Sequence, residues 1–149
     1  YLSMALLRAV TSLVRVCDGF ANVFEARKDM ESAIDILQWK HSVFSGLKKE
    51  GVVSELDKIS AASHAALARL MYDSLDFDGA KDELKTAKAL ATAYDEAPSH
   101  SAANVRFYEG IETVGIYSDF SRGAMDAAFH AFFDDGGTEE HKRFWESVT

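Results

Sequence analysis

A short corner made of an aspartate, a large apolar residue and then a small residue three positions on occurs three times in this chain. The three copies are Asp29-Met30-x-x-Ala33, Asp76-Phe77-x-x-Ala80 and Asp119-Phe120-x-x-Gly123. Apolar residues at helical spacing lie on both sides of each corner. The aspartate can cap a new helix with its side-chain oxygen, and the small residue lets two helices approach closely. Each corner therefore reads as the turn of a helical hairpin. Hairpins of this kind cannot bury their apolar faces alone and must stack on neighbours, which restricts the chain to a helical array or a compact helical bundle.

The apolar series Leu6, Ala9, Leu13, Cys17, Phe20 and Phe24 steps by threes and fours and predicts a first helix from about Leu2 to Ala26. Asp29 caps a second, with Ala33, Leu37, Phe44 and Leu47 inward and Gly51 as its stop. Ser54-Glu55-Leu56-Asp57 resembles a capping box ahead of a third helix carrying Leu56, Ile59, Ser63, Leu67 and Leu70. A fourth begins at Asp76, turns Ala80, Leu84, Ala87, Ala91 and Tyr94 inward, and ends before Pro98, which forces Ala97 out of helical geometry. Ser99 or Ser101 can cap a fifth helix holding Phe107, Ile111, Val114 and Tyr117. A sixth runs from about Phe120 to Phe133, and Thr138 caps a short terminal helix with Phe144, Trp145 and Val148. No segment alternates apolar and polar residues over strand length. The expected class is all-α.

At 149 residues the chain has the length of one domain with one core. It starts at Tyr1 without an initiator methionine, so a domain excised from a longer protein is expected. The net charge of −8 opposes nonspecific attraction to phosphate backbones, so no nucleic-acid partner is expected. Lys81, Lys85 and Lys88 share a helical face, but Asp78, Asp82 and Glu83 surround them and a solvated face is expected. Arg8 and Arg15 interrupt the opening apolar stretch, which reads as an amphipathic helix and not a membrane span. Cys17 is the single cysteine. It reads as a buried thiol in a reducing, intracellular compartment, most simply the cytoplasm.

The second hairpin resembles a tetratricopeptide unit through Leu67-Ala68, Met71, Asp76-Phe77, Ala80, Leu84 and Ala87. The first repeats the pattern with Phe20-Ala21, Phe24, Asp29-Met30, Ala33 and Leu37, with Lys40 where the family has a small residue. The third carries Phe107, Val114, Asp119-Phe120 and Gly123, with Gly110-Ile111 in reversed order. Successive corner aspartates lie 47 and 43 positions apart (76 minus 29, and 119 minus 76), whereas the family repeats every 34 or so residues. The resemblance thus implies about three hairpins with longer helices, stacked as a tetratricopeptide-like array closed by the short C-terminal helix. A second, smaller likeness covers Leu47 to Leu84. There Gly51-Val52-Val53-Ser54, a helix, and Asp76-Phe77-x-x-Ala80 look similar to the helical domain of steroid receptor RNA activator proteins and COPII outer-coat subunits.

The chemistry-bearing residues do not assemble into a motif along the chain. His41, His64, His100, His130 and His141 lack the Glu-x-x-His spacing of helical di-iron sites, and no zinc motif is present. Each histidine reads as a packing or surface residue, so no metal and no cofactor are expected. Asp134, Asp135, Glu139 and Glu140 around Gly136-Gly137 read as a solvated helix terminus. No nucleophile elbow or phosphate loop appears, and enzyme activity is not expected.

In the tetratricopeptide-like arrangement the first helix of each hairpin lines a concave face. The resemblance places Arg15, Asp18 and Asn22, then Arg69, Tyr72 and Asp73, then Tyr108 and Glu112 on that face as candidate partner-binding residues. The expected function is a non-enzymatic protein–protein interaction or scaffolding module that docks a peptide or helix of a larger assembly, with self-association left open. The alternative is a small-molecule-binding or sensory bundle, its ligand near His64, Cys17 or the Phe107 to Tyr117 face.

Overall fold

The computed structural model describes residues 4–49, 56–96, 123–133 and 136–149. Among these residues the chain forms six α-helices and no strand. They are α1 (Met4–Ala26), α2 (Met30–Lys49), α3 (Leu56–Asp73), α4 (Phe77–Glu96), α5 (Ala124–Phe132) and α6 (Glu139–Ser147). The protein is all-α. No helix among the described residues is long and apolar enough to cross a membrane. The Ser54 cap, the fifth helix expected beyond Ser99 and the Asp119 corner lie outside the described residues.

The first two corners fold as the aspartates dictate. Asp29 Oδ1 accepts the amide of Ser32 at 3.1 Å, and Asp76 Oδ1 accepts that of Gly79 at 3.0 Å. Ahead of each aspartate the preceding helix ends in the same way. The Asp29 amide donates to Phe24 O at 2.8 Å and the Lys28 amide to Glu25 O at 2.9 Å. Asp76 donates to Met71 O at 2.9 Å and Leu75 to Tyr72 O at 3.0 Å. These are two superposable Schellman ends, each satisfying carbonyls that the helix leaves without amide partners.

Ala33 and Ala80, the small residues after the corners, are both fully buried in one cluster with Ala21, Leu37, Leu67, Leu70 and Met71. Alanine at these places keeps the helix axes close enough for the leucines to fill the grooves between them. A second cluster joins Ala65, Ala68, Leu84 and Ala87 to Ala128 and Phe132 of α5 and to Val148 after α6. The expected inward series of α4 is buried throughout, and Ile59, Ser63, Leu67 and Leu70 of α3 likewise.

The inward face of α1 differs from the expected one. Val10, Val14, Cys17 and Ala21 are buried, whereas Ala9 is exposed and Phe20 is 53% exposed. The helix carries two apolar stripes, and the stripe with the small Ala21 faces inward because it admits close contact with α2. Phe20 stays on the outer stripe with Val16 and Val23, both exposed.

Two long-range contacts secure the C-terminal helices. Asp95 at the end of α4 caps α5, its carboxylate accepting the amides of Ala124 at 2.8 Å and Met125 at 3.1 Å. A Cβ at Gly123 would lie 3.3 Å from both Asp95 carboxylate oxygens, so a larger residue there would press on the capping carboxylate. Lys88, expected on a solvated face, instead donates to the carbonyls of Trp145 and Val148 and lies over the Trp145 ring. Its ammonium stabilises the open carbonyls at the end of α6, and burial holds its pKa below the ordinary lysine value. Thr138 caps α6 as expected, accepting the His141 amide, while its own amide donates to His141 Nδ1 at 3.1 Å.

Candidate functional site

A cavity of about 330 Å³ opens between α1, α2, α3 and α5. Its position follows from residue size. Ala21 of α1, Ala62 and Ala66 of α3, and Ala127 and Ala131 of α5 line it, and side chains of one carbon leave space that larger residues would fill. Leu37, Ile59 and Leu70 add apolar wall. Polar groups ring this lining: Asp18, Asn22 and Glu25 from α1, Lys40 from α2, and Lys58, Ser63 and Arg69 from α3.

The most constrained of these groups is Lys40. It stands in the inward series Ala33, Leu37, Phe44 and is 1% exposed. A buried ammonium needs a counter-charge and a hydrogen-bond acceptor. Asp18 supplies both, with Lys40 Nζ donating to Asp18 Oδ1 at 2.7 Å. The pair ties α1 to α2 along one side of the cavity. Next to it, burial pushes the Cys17 thiol up from its ordinary pKa, and Lys40 opposes that rise. A protonated, buried thiol is a packing group, not a nucleophile.

Arg69 sits on the opposite side. Its Nε donates to Asp73 Oδ2 at 2.9 Å and its Nη1 to the Phe132 carbonyl, also at 2.9 Å. The guanidinium therefore closes the C-terminal end of α5 while its stem lines the cavity.

Of the residues expected on the binding face, Asp18, Asn22 and Arg69 come together on this cavity. Arg15 lies on the exposed surface of α1 and is not among the lining residues. Tyr72 and Asp73 turn toward the C-terminal helix instead. The Tyr72 ring packs against Phe77, Phe132, His141 and Phe144, and Asp73 Oδ1 accepts from His141 Nε2 at 2.8 Å. Tyr108 and Glu112 lie outside the described residues. The lining residues Glu25 and Lys58 were not singled out by the sequence, nor were the α5 alanines. The signal for the cavity was the run of alanines on both sides of α3, and the signal for its buried pair was a lysine inside an apolar series.

Comparison with known proteins finds no matching family model, no matching curated protein and no matching solved structure.

Proposed function

We propose that the chain is a non-enzymatic interaction module whose cavity between α1, α3 and α5 docks a short segment of a partner protein, inserted as one or two large apolar side chains. The observation that carries this reading is the alanine lining inside a ring of polar groups. An apolar anchor entering a snug pocket supplies most of the affinity of such contacts, and polar groups around it set orientation. Asn22 offers both donors and acceptors at the rim, and the Asp18–Lys40 and Arg69–Asp73 pairs hold the walls in place. The tetratricopeptide-like reading supports the same role, since the two superposable corners would stack α1 and α3 side by side along one concave face. The reading assigns the cavity no reaction.

Selection from a displayed peptide library against the intact chain tests the proposal. Recovered peptides should share a large apolar anchor, and Ala66→Trp, which fills the cavity, should abolish their binding while leaving the far-ultraviolet circular dichroism unchanged. Peptides that bind Ala66→Trp as well as the parent chain would remove the cavity from the interaction.

The size of the cavity favours a second reading. Pockets for small molecules run from roughly 300 to 1,000 Å³, and this one falls at the lower end. A thermal-shift screen with small apolar ligands separates the two. A large rise with one compound that Ala66→Trp cancels, together with no peptide selected, would favour the ligand site.

A further inference from the structure

Two histidines from different helices meet in space. His41 of α2 and His64 of α3 stack with ring centroids 3.8 Å apart and planes inclined by 18°. His64 Nδ1 donates to Glu83 Oε2 of α4 at 2.6 Å. His41 Nε2 is the one buried side-chain nitrogen or oxygen among the described residues without a hydrogen-bond partner. All three side chains are half-buried, and one donor atom from each lies within 4.8 Å of the others. No other group of three such residues occurs among the described residues.

We propose that His41, His64 and Glu83 form a binding site for a divalent transition-metal ion of the zinc class, seated between α2, α3 and α4. Two imidazoles and one carboxylate are the donor set that such ions prefer, whereas calcium and magnesium take mostly oxygen ligands. The open Nε2 of His41 is a lone pair held out of water with nothing to accept. Donor atoms around a tetrahedral zinc ion stand about 3.3 Å apart, from bond lengths of ~2.0–2.1 Å, so His64 Nδ1 and Glu83 Oε2, 2.6 Å apart, must separate slightly while the His41 donor, within 4.8 Å of the other two, moves in. The ion takes the place of the proton that His64 shares with Glu83.

Loading also requires one ring to turn. A metal lies in the plane of an imidazole that binds it, and two nearly parallel stacked rings cannot both point their planes at one ion. Rotation about the second side-chain torsion of histidine is soft, so unstacking is the conformational signature of the bound state. The neighbouring Lys40 does not oppose the ion with its full charge, because Asp18 lies 2.7 Å from its ammonium. Three protein ligands leave a fourth position for water or for a donor from a ligand. The site is separate from the alanine-lined cavity and does not depend on the docking reading.

Zinc binding to the full chain, freed of metal with a chelator and followed by calorimetry and thermal unfolding, tests the proposal. Uptake of one equivalent and a raised Tm are expected. Glu83→Gln and His64→Ala should weaken binding by at least about tenfold, and His130→Ala on the exposed side of α5 should leave it unchanged. Cobalt on the parent chain gives a second measurement that does not rely on any variant folding. It should shift imidazole resonances of two histidines and break the ring stacking. Absence of zinc uptake, uptake equal in Glu83→Gln and His64→Ala, or cobalt shifts at His130 or His141 in place of His41 and His64 would each overturn the site.

Discussion

Lys28 and Leu75 hold the same left-handed backbone, with φ of 61° and 69°, each one residue ahead of the aspartate that caps the next helix. The conformation lets the amides of Asp29 and Asp76 reach back to carbonyls of the preceding helix. Residues with a Cβ are strained there, and glycine is not. Leu75 is 75% exposed, so burial of its side chain offsets little of that strain. Leu75→Gly is expected to stabilise the fold relative to Leu75→Ala by about 1 kcal/mol, measured by urea unfolding. Equal stability of the two variants would remove the strain argument.

The Asp18–Lys40 pair is asymmetric, with the lysine 2% and the aspartate 46% exposed at the side chain. Removing the aspartate leaves a charge in an apolar site, and removing the lysine does not. Asp18→Ala should cost about 1–3 kcal/mol, below the full value for a buried pair because water can reach the vacated side. Lys40→Met keeps the aliphatic stem and should be nearly neutral. Denaturant midpoints of the two variants compare them directly, and a larger loss for Lys40→Met would mean that the ammonium itself holds α1 to α2.

Features set by neighbours in sequence were legible before any coordinates, and features set by distant partners were not. The Asp29, Asp76 and Thr138 caps act over three residues, and the buried face of α4 repeats at helical spacing. Both stripes of α1 are apolar, so only the packing of Ala21 decides which of them faces inward. Asp95 caps a helix 29 residues away, and Lys88 reaches carbonyls 57 and 60 residues away. Nothing local in either residue announces those partners. Direction along a helix is equally hidden: Tyr72 and Asp73, expected on the binding face, follow Arg69 on α3 yet point at α6.

Those distant caps predict a local effect. Asp95→Ala removes the acceptor for the amides of Ala124 and Met125 and should cost about 0.5–2 kcal/mol. Hydrogen exchange should accelerate first in α5, with α1 and α2 little changed. Uniform acceleration across the chain would mean that α5 unfolds only with the whole domain.

Ala80 tests the packing of the second corner. It is fully buried beside Leu67, Met71 and Ala33, and a leucine there has no space without moving a helix. Ala80→Leu should destabilise by about 1–3 kcal/mol. Exposed Ala89 of the same helix supplies the control, because Ala89→Leu adds the same atoms on the solvent side. Equal effects of the two substitutions would show that the corner tolerates a wider helix separation.

The metal-free chain should lose stability in mild acid through His41. Burial, with His64 and Lys40 adding repulsion, lowers its pKa from 6.5 to about 3, against a backbone hydrogen bond with Ser63 that raises it. Glu83 faces His64 and Asp18 faces Lys40, so each of these neighbours has a carboxylate partner. Below the ordinary histidine value the unfolded chain takes up a proton at residue 41 that the folded chain refuses, and the unfolded state gains as pH falls. Stability should therefore drop by about 1–2 kcal/mol between pH 6.5 and 5, at most 1.4 kcal/mol for each unit. Chemical denaturation in chelator at several pH values measures the slope. His41→Gln cannot take the proton and should be flatter over that range by the same amount. A parent chain and a variant with parallel slopes would show that residue 41 is protonated equally in the folded and unfolded states.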